Sequence, residues 1–453
     1  MASQLPTEAD VVIIGAGLSG LMTARRLLDQ GVERVVIVEA RDRIGGRVWR
    51  RPAANGRSLE GGGELVGPGM DRLIALADEF GLERMDLPFE GKIVRIADGE
   101  RVVETYPYEL APELGEAHAA ATAALDELAK TVPVDAPWTA PGARELDACT
   151  AQTWIDQNVA DPAAAKIMAS DFLYCGGLAS EVSLLYVLWF LSARGGSEGI
   201  HVTTSQRLKG GSSDLVDGLV EQVGRERIFL NAPVRTVRHD DASVTVVTDA
   251  GEIQAKAVVA AIAPGLCGRI NWEPVLPAKR DRLQSRYLGG HGSKLFGRYP
   301  EPWWRDRGFA GTGLGFPGMM VVMDVTAPDD ADATLMAFPD PQYLLPSDRA
   351  DALTDDAAAR ALFDDAIAAY FGDDAPAPSE FHHFTWFGDP WSTGCGAGLP
   401  PGLLTNAGDA LRERVGRIVW AGTETGLPFP DWLEGALLSG ERAADEAAAL
   451  IGS

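Results

Sequence analysis

The chain has 453 residues, which is enough for two or more domains, and its 46% hydrophobic and 23% charged residues are typical of a globular protein. Its formal net charge is −25. This charge argues against a nucleic acid or an anionic membrane as a partner, because both bind basic surfaces. The same charge would favour solubility, and it would also attract cationic small molecules.

The cysteines and the apolar segments indicate the compartment. The four cysteines are far apart and form no CxxC pair, so we expect a reducing compartment, the cytoplasm, and no disulfide framework; they are Cys149, Cys175, Cys267 and Cys395. The polar N-terminus lacks the apolar core of a signal peptide, and the longest apolar run, 182–193, is too short to span a bilayer. The six histidines show no ligand spacing, and we therefore expect no metal site.

The most informative stretch is 11–47. Val11–Ile14 and Val35–Val38 are β-branched apolar runs that predict two buried strands, and the helical pattern between them ends at Gly31. The first strand is followed, at GxGxxG spacing, by Gly15, Gly17 and Gly20. Such glycines let the backbone approach a pyrophosphate at the N-terminus of the helix. The stretch therefore predicts a dinucleotide-binding βαβ unit.

Two features after the second strand narrow the choice of dinucleotide. Glu39 lies at the tip of that strand, where its carboxylate can accept hydrogen bonds from ribose hydroxyls and would repel a 2′-phosphate. This favours FAD or NAD over NADP. The turn that follows Glu39 contains Gly46 and three arginines, Arg41, Arg43 and Arg47, whose planar guanidinium groups can donate to a diphosphate. A basic surface turn would have the same composition.

A hairpin that turns at Asn55-Gly56 leads into a glycine-rich stretch, 60–68, and a helix over 71–81. We then predict strands at 92–96, 101–106, 227–230, 234–238, 244–248, 252–262, 294–298, 318–325 and 418–420. We predict helical stretches over 115–131 and 151–193 and a helix over 355–371. Within 208–223, Gly210-Gly211 precede an amphipathic helix, and a last helix begins at Leu433.

The motifs, taken together, resemble those of the flavin monoamine and polyamine oxidase family. They are GAGLSGL and VEARDRIGGR near the N-terminus, GGGELVGPG at 61–69, LKGGSSDL at 208–215, NAPVRTV at 231–237, SKLFGRYPEPWWR at 293–305, STGCGAGLPPG at 392–402, and AGTET and DWLEGALLSGERAA within 421–444. The resemblance runs nearly from end to end and selects FAD as the dinucleotide. It implies an enzyme that oxidises an amine to an imine and reduces O2 to H2O2.

The resemblance also implies an α/β fold of two lobes. A Rossmann-like FAD-binding domain would comprise 1–90, 205–285 and 410–453. A substrate-binding domain of mixed sheet and helices would comprise 91–204 and 286–409 and lie over the reacting face of the flavin. The two lobes would therefore interleave along the chain.

The resemblance assigns roles to individual residues. Lys294, eight residues before Pro302, matches the family lysine that holds a water against flavin N5, although a surface strand lysine would fit the same pattern. Trp432 matches one wall of the family's aromatic cage, but Gly396 stands where the other wall is often a tyrosine, which leaves room for a bulkier substrate. The expected cofactor-binding residues are Gly15, Gly17, Gly20, Glu39, Arg41, Gly46, Arg47, Gly62, Gly63, Val234, Trp386, Cys395, Gly422, Thr423, Glu424 and Leu433.

Cys395 matches the position at which some family members attach the flavin through sulfur. Its neighbours Gly394 and Gly396 would allow close approach, but they also remove bulk. A thioether to the flavin and an unreactive buried thiol are therefore both open.

Two other functions compete with amine oxidation. The first is a related flavoenzyme, such as an L-amino-acid oxidase, an amine dehydrogenase or a desaturase. An amino-acid oxidase requires a cation for the substrate carboxylate, and Arg194, Arg207 and Arg286 are candidates. The second is a non-catalytic flavin-binding protein, against which Lys294 and the glycine motifs count. The sequence leaves open the amine, the electron acceptor and the formation of a homodimer.

Overall fold

The computed structural model describes residues 4–87, 90–97, 99–105, 112–172, 177–328, 330–392 and 394–452. Its strands are β1 (Val11–Ile14), β2 (Val35–Val38), β3 (Arg50–Pro52), β4 (Ser58–Glu60), β5 (Leu65–Val66), β6 (Arg84–Asp86), β7 (Lys92–Ala97), β8 (Glu100–Thr105), β9 (Gln206–Leu208), β10 (Ile228–Phe229), β11 (Val234–His239), β12 (Val244–Thr248), β13 (Gly251–Ala255), β14 (Ala257–Ala260), β15 (Asn271–Glu273), β16 (Leu288–Gly289), β17 (Ser293–Tyr299), β18 (Phe309–Leu314), β19 (Met319–Asp324), β20 (Ala333–Pro339), β21 (Glu380–Thr385), β22 (Ala397–Gly398) and β23 (Ile418–Trp420).

Its α-helices are α1 (Leu18–Asp29), α2 (Asp71–Glu79), α3 (Pro112–Ala129), α4 (Ala143–Ala148), α5 (Ala151–Asn158), α6 (Pro162–Asp171), α7 (Leu184–Arg194), α8 (Ser197–Thr203), α9 (Ser213–Val223), α10 (Pro264–Cys267), α11 (Ala278–Arg286), α12 (Trp303–Asp306), α13 (Pro341–Leu344), α14 (Asp356–Phe371), α15 (Leu403–Ala407) and α16 (Leu433–Gly452). No helix in these ranges is both long enough and apolar enough to cross a bilayer.

A parallel sheet of five strands, in the order β10-β2-β1-β14-β23, forms one half of the α/β fold. Every residue of β1, β2 and β14 is buried. Helices α1 and α16 pack on one face of this sheet, and the four-stranded sheet β13-β12-β11-β15 packs on the other. Because both faces are covered, these strands are continuous apolar runs. The strands predicted at 11–14, 35–38 and 418–420 are confirmed.

The segment 252–262, for which strands were predicted, is divided between two sheets. Residues of β13 alternate between the surface and the core in the antiparallel sheet, where β13 pairs with β12. After Lys256, β14 is wholly buried and pairs in parallel with β1. The change from an alternating to a continuous apolar pattern marks the crossing. The strand predicted at 227–230 is shorter than expected, and β10 pairs with β2 in the parallel sheet.

A mixed sheet of seven strands, in the order β21-β17-β20-β19-β18-β7-β8, forms the other half of the fold. Helix α14 packs against one face through Leu362 and Phe363, which contact Leu295 of β17 and Ala337 of β20 in a common core. The N-terminus of α14 is capped by Asp355, whose carboxylate accepts a hydrogen bond from the backbone of Ala358. The opposite face of the sheet lines a cavity.

A third layer is helical and differs in detail from the prediction. The helical stretch predicted over 151–193 contains three helices, α5, α6 and α7. A new helix begins after Asp161, whose carboxylate caps α6 just before a proline. Another begins after Ser183, whose hydroxyl caps α7. Cys175 lies outside the described residues, as does Tyr106 at the end of a predicted strand. The hairpin at Asn55-Gly56 is confirmed by the pairing of β3 with β4.

Candidate active site

One large cavity, of about 950 Å³, lies between the parallel sheet and the mixed sheet. One end meets the carboxyl ends of β1, β2, β14 and β23, where open α/β sheets bind ligands. The other end is lined by β7, β17, β18, β19 and β20 of the mixed sheet. The expected site residues that border it are Gly15, Gly17, Glu39, Arg41, Gly46, Arg47, Gly62, Gly63, Val234, Lys294, Cys395, Gly422, Thr423, Trp432 and Leu433.

The glycine-rich turn brings backbone to the cavity at the start of α1. Gly17 is the N-cap of α1, and its backbone forms a bridge with Gly45. Gly20 does not border the cavity. A Cβ on Gly20 would lie 2.0 Å from the carbonyl oxygen of Gly15, so this glycine allows the helix to pack tightly on the turn. The backbone N–H groups at the helix N-terminus suit an anion such as a pyrophosphate.

Glu39 is buried at the carboxyl end of β2, and its two oxygens are anchored by backbone. One oxygen accepts a hydrogen bond from the backbone N–H of Ala16 at 2.8 Å, and the other accepts one from Arg41 at 2.9 Å. The carboxylate thus joins the glycine-rich turn to the arginine turn and still borders the cavity. Each oxygen retains acceptor capacity for a hydroxyl group.

The three arginines of the following turn have different partners. The guanidinium of Arg41 pairs with Asp389 at 2.7 Å, and that of Arg47 pairs with Glu424 at 2.7 Å. Arg43 does not border the cavity: it donates to the carbonyl of Gly46 at 2.9 Å, and burial lowers its pKa to about 10. Arg41 and Arg47 therefore supply the cations on the cavity wall in this turn.

Lys294 lies at the centre of a buried charge network. Its Nζ donates to Glu64 at 2.7 Å and to the carbonyl oxygen of Glu60 at 3.0 Å, and Arg207 pairs with the other oxygen of Glu64 at 2.8 Å. Burial would raise the pKa of Glu64, but the two cations lower it below its ordinary value. In contrast, burial and then Glu64 raise the pKa of Glu60 to about 7. The network fixes Lys294 at the cavity wall.

The alternation of β17 explains why Lys294 faces the cavity. Its neighbour Leu295 lies in the core beneath α14, and successive side chains of a strand point to opposite faces. Phe338 of the adjacent strand lies on the same face as Lys294, with its ring centre 5.5 Å from Nζ. Other apolar members of this face border the cavity, namely Ile93, Leu314, Val321 and Met323.

Trp432 borders the cavity, as does Gly396. The Trp432 ring packs against Phe190, with centroids 6.5 Å apart, and the guanidinium of Arg194 lies 4.9 Å from its centroid. Trp386 does not border the cavity; it is buried, and its indole N–H donates to the carbonyl of Gly61 at 2.9 Å. Glu424 is also set back from the cavity, behind Arg47.

Cys395 borders the cavity near the end of Lys294's strand. Its backbone bridges His291, and a Cβ on Gly292 would lie 2.6 Å from its own Cβ. Gly394 has φ of 136° and would place a Cβ 1.9 Å from the carbonyl of Gly290, so only glycine fits there. Burial raises the pKa of the Cys395 thiol, and Arg47 and Lys294 oppose this shift.

Two groups of residues were missed by the sequence analysis. No role was assigned from the sequence to Glu64, which lies in the glycine-rich motif at 61–69. The presence of an acidic residue among these glycines was a signal of a functional role. Asp431 borders the cavity, has a positive φ of 69° and accepts a hydrogen bond from the Tyr186 hydroxyl at 2.8 Å. Its partner Tyr186 lies in an apolar helix far away in the sequence, so no local pattern connected the two.

None of the arginines considered for a substrate carboxylate borders the cavity. Arg194 donates to the carbonyl oxygens of Pro428 and Pro430, at 2.5 and 3.2 Å. Arg207 pairs with Glu64, and Arg286 donates to the carbonyl of Pro401 at 3.4 Å. This placement disfavours an amino-acid oxidase.

The residues present fit a flavin dinucleotide. The cavity has glycine backbone at a helix N-terminus, a ribose-type acceptor in Glu39 and two cations in Arg41 and Arg47 at one end. It has the buried Lys294 and the thiol of Cys395 at the other. Within the described residues, no group of histidine, cysteine and acidic side chains forms a metal site.

The chain was compared with known proteins. The sequence model of the family described as "Flavin containing amine oxidoreductase" matches residues 18–448. The chain is 32% identical to amine oxidase [flavin-containing] B of Mus musculus, across 99% of this chain and 88% of that protein. It is 31% identical to amine oxidase [flavin-containing] A of Canis lupus familiaris, across 98% and 85%.

Solved structures resemble the whole fold. Cyclohexylamine oxidase from Brevibacterium oxydans IH-35A superposes with a TM-score of 0.92 at 32% identity, covering 98% of this chain and all of that one. Wild-type putrescine oxidase bound to putrescine superposes with a TM-score of 0.89 at 29% identity, covering 98% and 99%.

Proposed function

Because the chain belongs to the flavin-containing amine oxidoreductase family, we propose that its cavity orients a monoamine with an apolar substituent against FAD. The enzyme is a FAD-dependent amine oxidase, which converts an amine into an imine and reduces O2 to H2O2. FAD, when bound, takes two electrons from the amine and passes them to O2. The protein provides binding, orientation and electrostatics.

We assign the cofactor to the end of the cavity that meets the parallel sheet. Gly15, Gly17 and the N-terminus of α1 would hold the pyrophosphate, and Glu39 would accept from the ribose. Gly20 and Trp386 would act by packing, since they lie behind the cavity wall. The remaining residues proposed for cofactor binding are Arg41, Gly46, Arg47, Gly62, Gly63, Val234, Cys395, Gly422, Thr423, Glu424 and Leu433.

Lys294 would hold a water at the reacting end of the site. Its Nζ already donates to Glu64 and to the carbonyl of Glu60, and one ammonium proton remains for a further acceptor. The buried network leaves the side chain no freedom to turn away. Trp432 would form a wall against which the amine packs.

The apolar face of the mixed sheet carries the substrate proposal. The cavity beyond Lys294 is lined by Phe338, Met323, Leu314 and Ile93. Among the described residues of the strands that carry them, none places a carboxylate on the cavity wall. A diamine would bring its second ammonium to this wall without a counter-charge, which is costly in an apolar site. A monoamine on a ring or alkyl chain would instead bury apolar surface there. Cyclohexylamine, the substrate that names one structural neighbour, fits this description.

A peroxide assay tests the proposal. We expect kcat/KM for cyclohexylamine and benzylamine to exceed that for putrescine by tenfold or more. A tenfold ratio corresponds to a difference of about 1.4 kcal/mol in free energy. Phe338→Asp would offer a counter-charge and should shift the ratio towards putrescine. A wild-type preference for putrescine would contradict the proposal. Oxidation of L-leucine at a comparable rate would favour an amino-acid oxidase.

We further propose that Cys395 tethers the flavin as a thioether. This bond would replace one methyl C–H of the flavin and the S–H of Cys395, and the two electrons and two protons released would reduce O2 to H2O2. Because burial raises the pKa of the Cys395 thiol, less thiolate is present at neutral pH and attachment should accelerate as the pH rises. After acid precipitation, flavin should remain in the pellet and be lost from it in Cys395→Ser. Flavin released wholly into the supernatant at every pH would contradict the tether.

A cytoplasmic location is also proposed. It is supported by the described cysteines, Cys149, Cys267 and Cys395, which are free thiols. Cell fractionation would test it, and light scattering of the purified protein would test whether a homodimer forms.

A further inference from the structure

Asp431 is a cavity residue for which the assigned roles give no function. It directly precedes Trp432 and borders the cavity. Its φ of 69° is uncommon for a residue other than glycine. Its backbone N–H donates to the carbonyl of Thr423 at 3.2 Å, and one carboxylate oxygen accepts from the Tyr186 hydroxyl at 2.8 Å. Backbone and side chain are therefore both held in place.

Two buried carboxylate oxygens at this position lack a donor. Oδ1 of Asp431 has no hydrogen-bond partner among the described residues, and neither does Oε2 of Glu424. Glu424 is only 2% exposed, and its other oxygen pairs with Arg47 at 2.7 Å. Buried polar atoms are normally paired, so an unpaired oxygen requires an explanation. A proton on one of these acids would turn one of the unpaired oxygens into a donor.

We propose that Asp431 accepts a proton from the substrate ammonium. The negative charge of Glu424 favours the protonated form of Asp431, and the Tyr186 hydroxyl orients the accepting carboxylate. The step breaks one N–H bond and forms one O–H bond; the electron pair stays on nitrogen, and no oxidation occurs. The resulting uncharged amine can then be oxidised. The inference rests on the proposal that Trp432 borders the bound amine.

The charges around Asp431 suit a group that accepts a proton near neutral pH. Burial and then Glu424 raise the pKa of Asp431 to about 7, while Arg47, the Tyr186 hydrogen bond and Arg194 lower it. Two further titratable groups interact with it, the Cys395 thiol and the Tyr287 phenol, and both have a raised pKa and are neutral at this pH. Above a pH of about 7, Asp431 is therefore ionised and able to accept a proton.

The test compares pH profiles of kcat/KM in the holoenzyme for two amines with different solution pKa values. The wild type should show a limb that rises through a pH of about 7 for both amines, because this limb belongs to the enzyme. Asp431→Asn should lose the limb and lower kcat/KM by about 100-fold. Asparagine tolerates a positive φ and can accept the Tyr186 hydrogen bond, so this variant should fold.

Two further variants sharpen the result. Tyr186→Phe removes a donor to the carboxylate and should move the limb to higher pH without abolishing it. Glu434→Gln is the matched control. Glu434 is a buried acid three residues further on that accepts from the backbone of Arg72 and Leu73 and does not border the cavity. Its variant should keep the limb at the same pH.

Infrared difference spectroscopy provides a readout that requires no turnover. Because the pKa of Glu60 is also raised to about 7, the spectra are recorded in a Glu60→Gln background. There, the carbonyl stretch of a protonated carboxyl group should be stronger at a pH of about 6 than at about 8, and adding Asp431→Asn should remove this difference. The inference is overturned if Asp431→Asn keeps the kinetic limb. It is also overturned if the variant loses FAD in proportion to its activity, since Asp431 would then serve the cofactor. An enzyme that oxidises no amine, yet shows the infrared band, would contradict the proposed substrate class instead.

Discussion

At the scale of single residues, Lys294 and Arg207 allow catalysis to be separated from stability. Both cations pair with the buried carboxylate of Glu64, but only Lys294 borders the cavity. We expect Lys294→Met and Arg207→Met each to lower the free energy of unfolding by about 3–5 kcal/mol, because each leaves part of a buried charge unpaired. We expect only Lys294→Met to lower kcat per bound FAD.

Thermal unfolding and single-turnover kinetics check this pair of variants. FAD content should be unchanged in both, since neither side chain is proposed to hold the cofactor. If Arg207→Met slows the reaction as much as Lys294→Met does, the charge network as a whole, and not Lys294 at the wall, controls the rate.

The cage wall is a second prediction at this scale. Trp432→Ala should raise KM and lower kcat/KM for a ring-bearing amine by tenfold or more, because the amine loses an aromatic surface at the site. Trp432→Phe should recover most of the loss. Because Trp432 also packs on Phe190, the melting temperature must be measured in parallel. A collapse of stability with normal activity per bound FAD would show that Trp432 is a core residue.

Glu60 makes stability depend on pH. Its folded-state pKa of about 7 lies above the ordinary 4.5, so the folded state binds the extra proton between these values. Stability is therefore lost as the pH rises from about 4.5 to about 7, by roughly 3 kcal/mol. Glu60→Gln should be less sensitive to pH in this window, as measured by unfolding midpoints. The surface variant Glu221→Gln should keep the wild-type dependence, and an identical slope in Glu60→Gln would contradict the prediction.

At the scale of elements, the junction of β1, α1 and β2 depends on Glu39. Replacement by alanine leaves the N–H groups of Ala16 and Arg41 without their acceptor and removes the proposed ribose contact. We expect Glu39→Ala to bind FAD at least tenfold more weakly, as measured by flavin release on dilution. Asp42→Ala changes an exposed acid of the same turn and should retain FAD. Equal retention in both variants would remove Glu39 from the cofactor site.

The elements also show what could be predicted from the sequence. The βαβ unit was predictable because its strands, glycines and terminal acid follow one another within about thirty residues. The cavity face of the mixed sheet was not, because its strands come from segments near 92 and near 300 that carry no shared local pattern. Lys294 was identified by resemblance to the family. Its partner Glu64 could not be predicted, because the two residues are 230 positions apart in the sequence.

At the scale of the whole molecule, the net charge of −25 predicts how salt affects catalysis. An acidic protein attracts a cationic amine, and added salt screens this attraction over about 10 Å at 0.1 M. We expect kcat/KM for cyclohexylamine to fall as ionic strength rises. The inhibition constant of uncharged cyclohexanol should stay constant as a control. A rise of kcat/KM with salt would show that the global charge does not assist binding.

The predicted domain boundaries remain a proposal at this scale. The alternation of the chain between the parallel and mixed sheets supports them, since β14 and β23 join the parallel sheet on either side of β15–β22. Limited proteolysis would test them. Cuts confined to the proposed crossings near 90, 204, 285 and 409 would agree with the division, whereas cuts within either sheet would oppose it.

The order of strands in the parallel sheet has a consequence for synthesis of the protein. Its edge strand β23 and helix α16 are synthesised long after β1 and α1, yet α16 packs directly on α1, where the Thr23 hydroxyl donates to the carbonyl of Gly440, 417 residues further on, at 3.1 Å. The glycine-rich turn is thus made long before the helix that packs beside it. Such long-range contacts fold slowly. The nascent chain therefore lacks a complete flavin site until α16 has been synthesised.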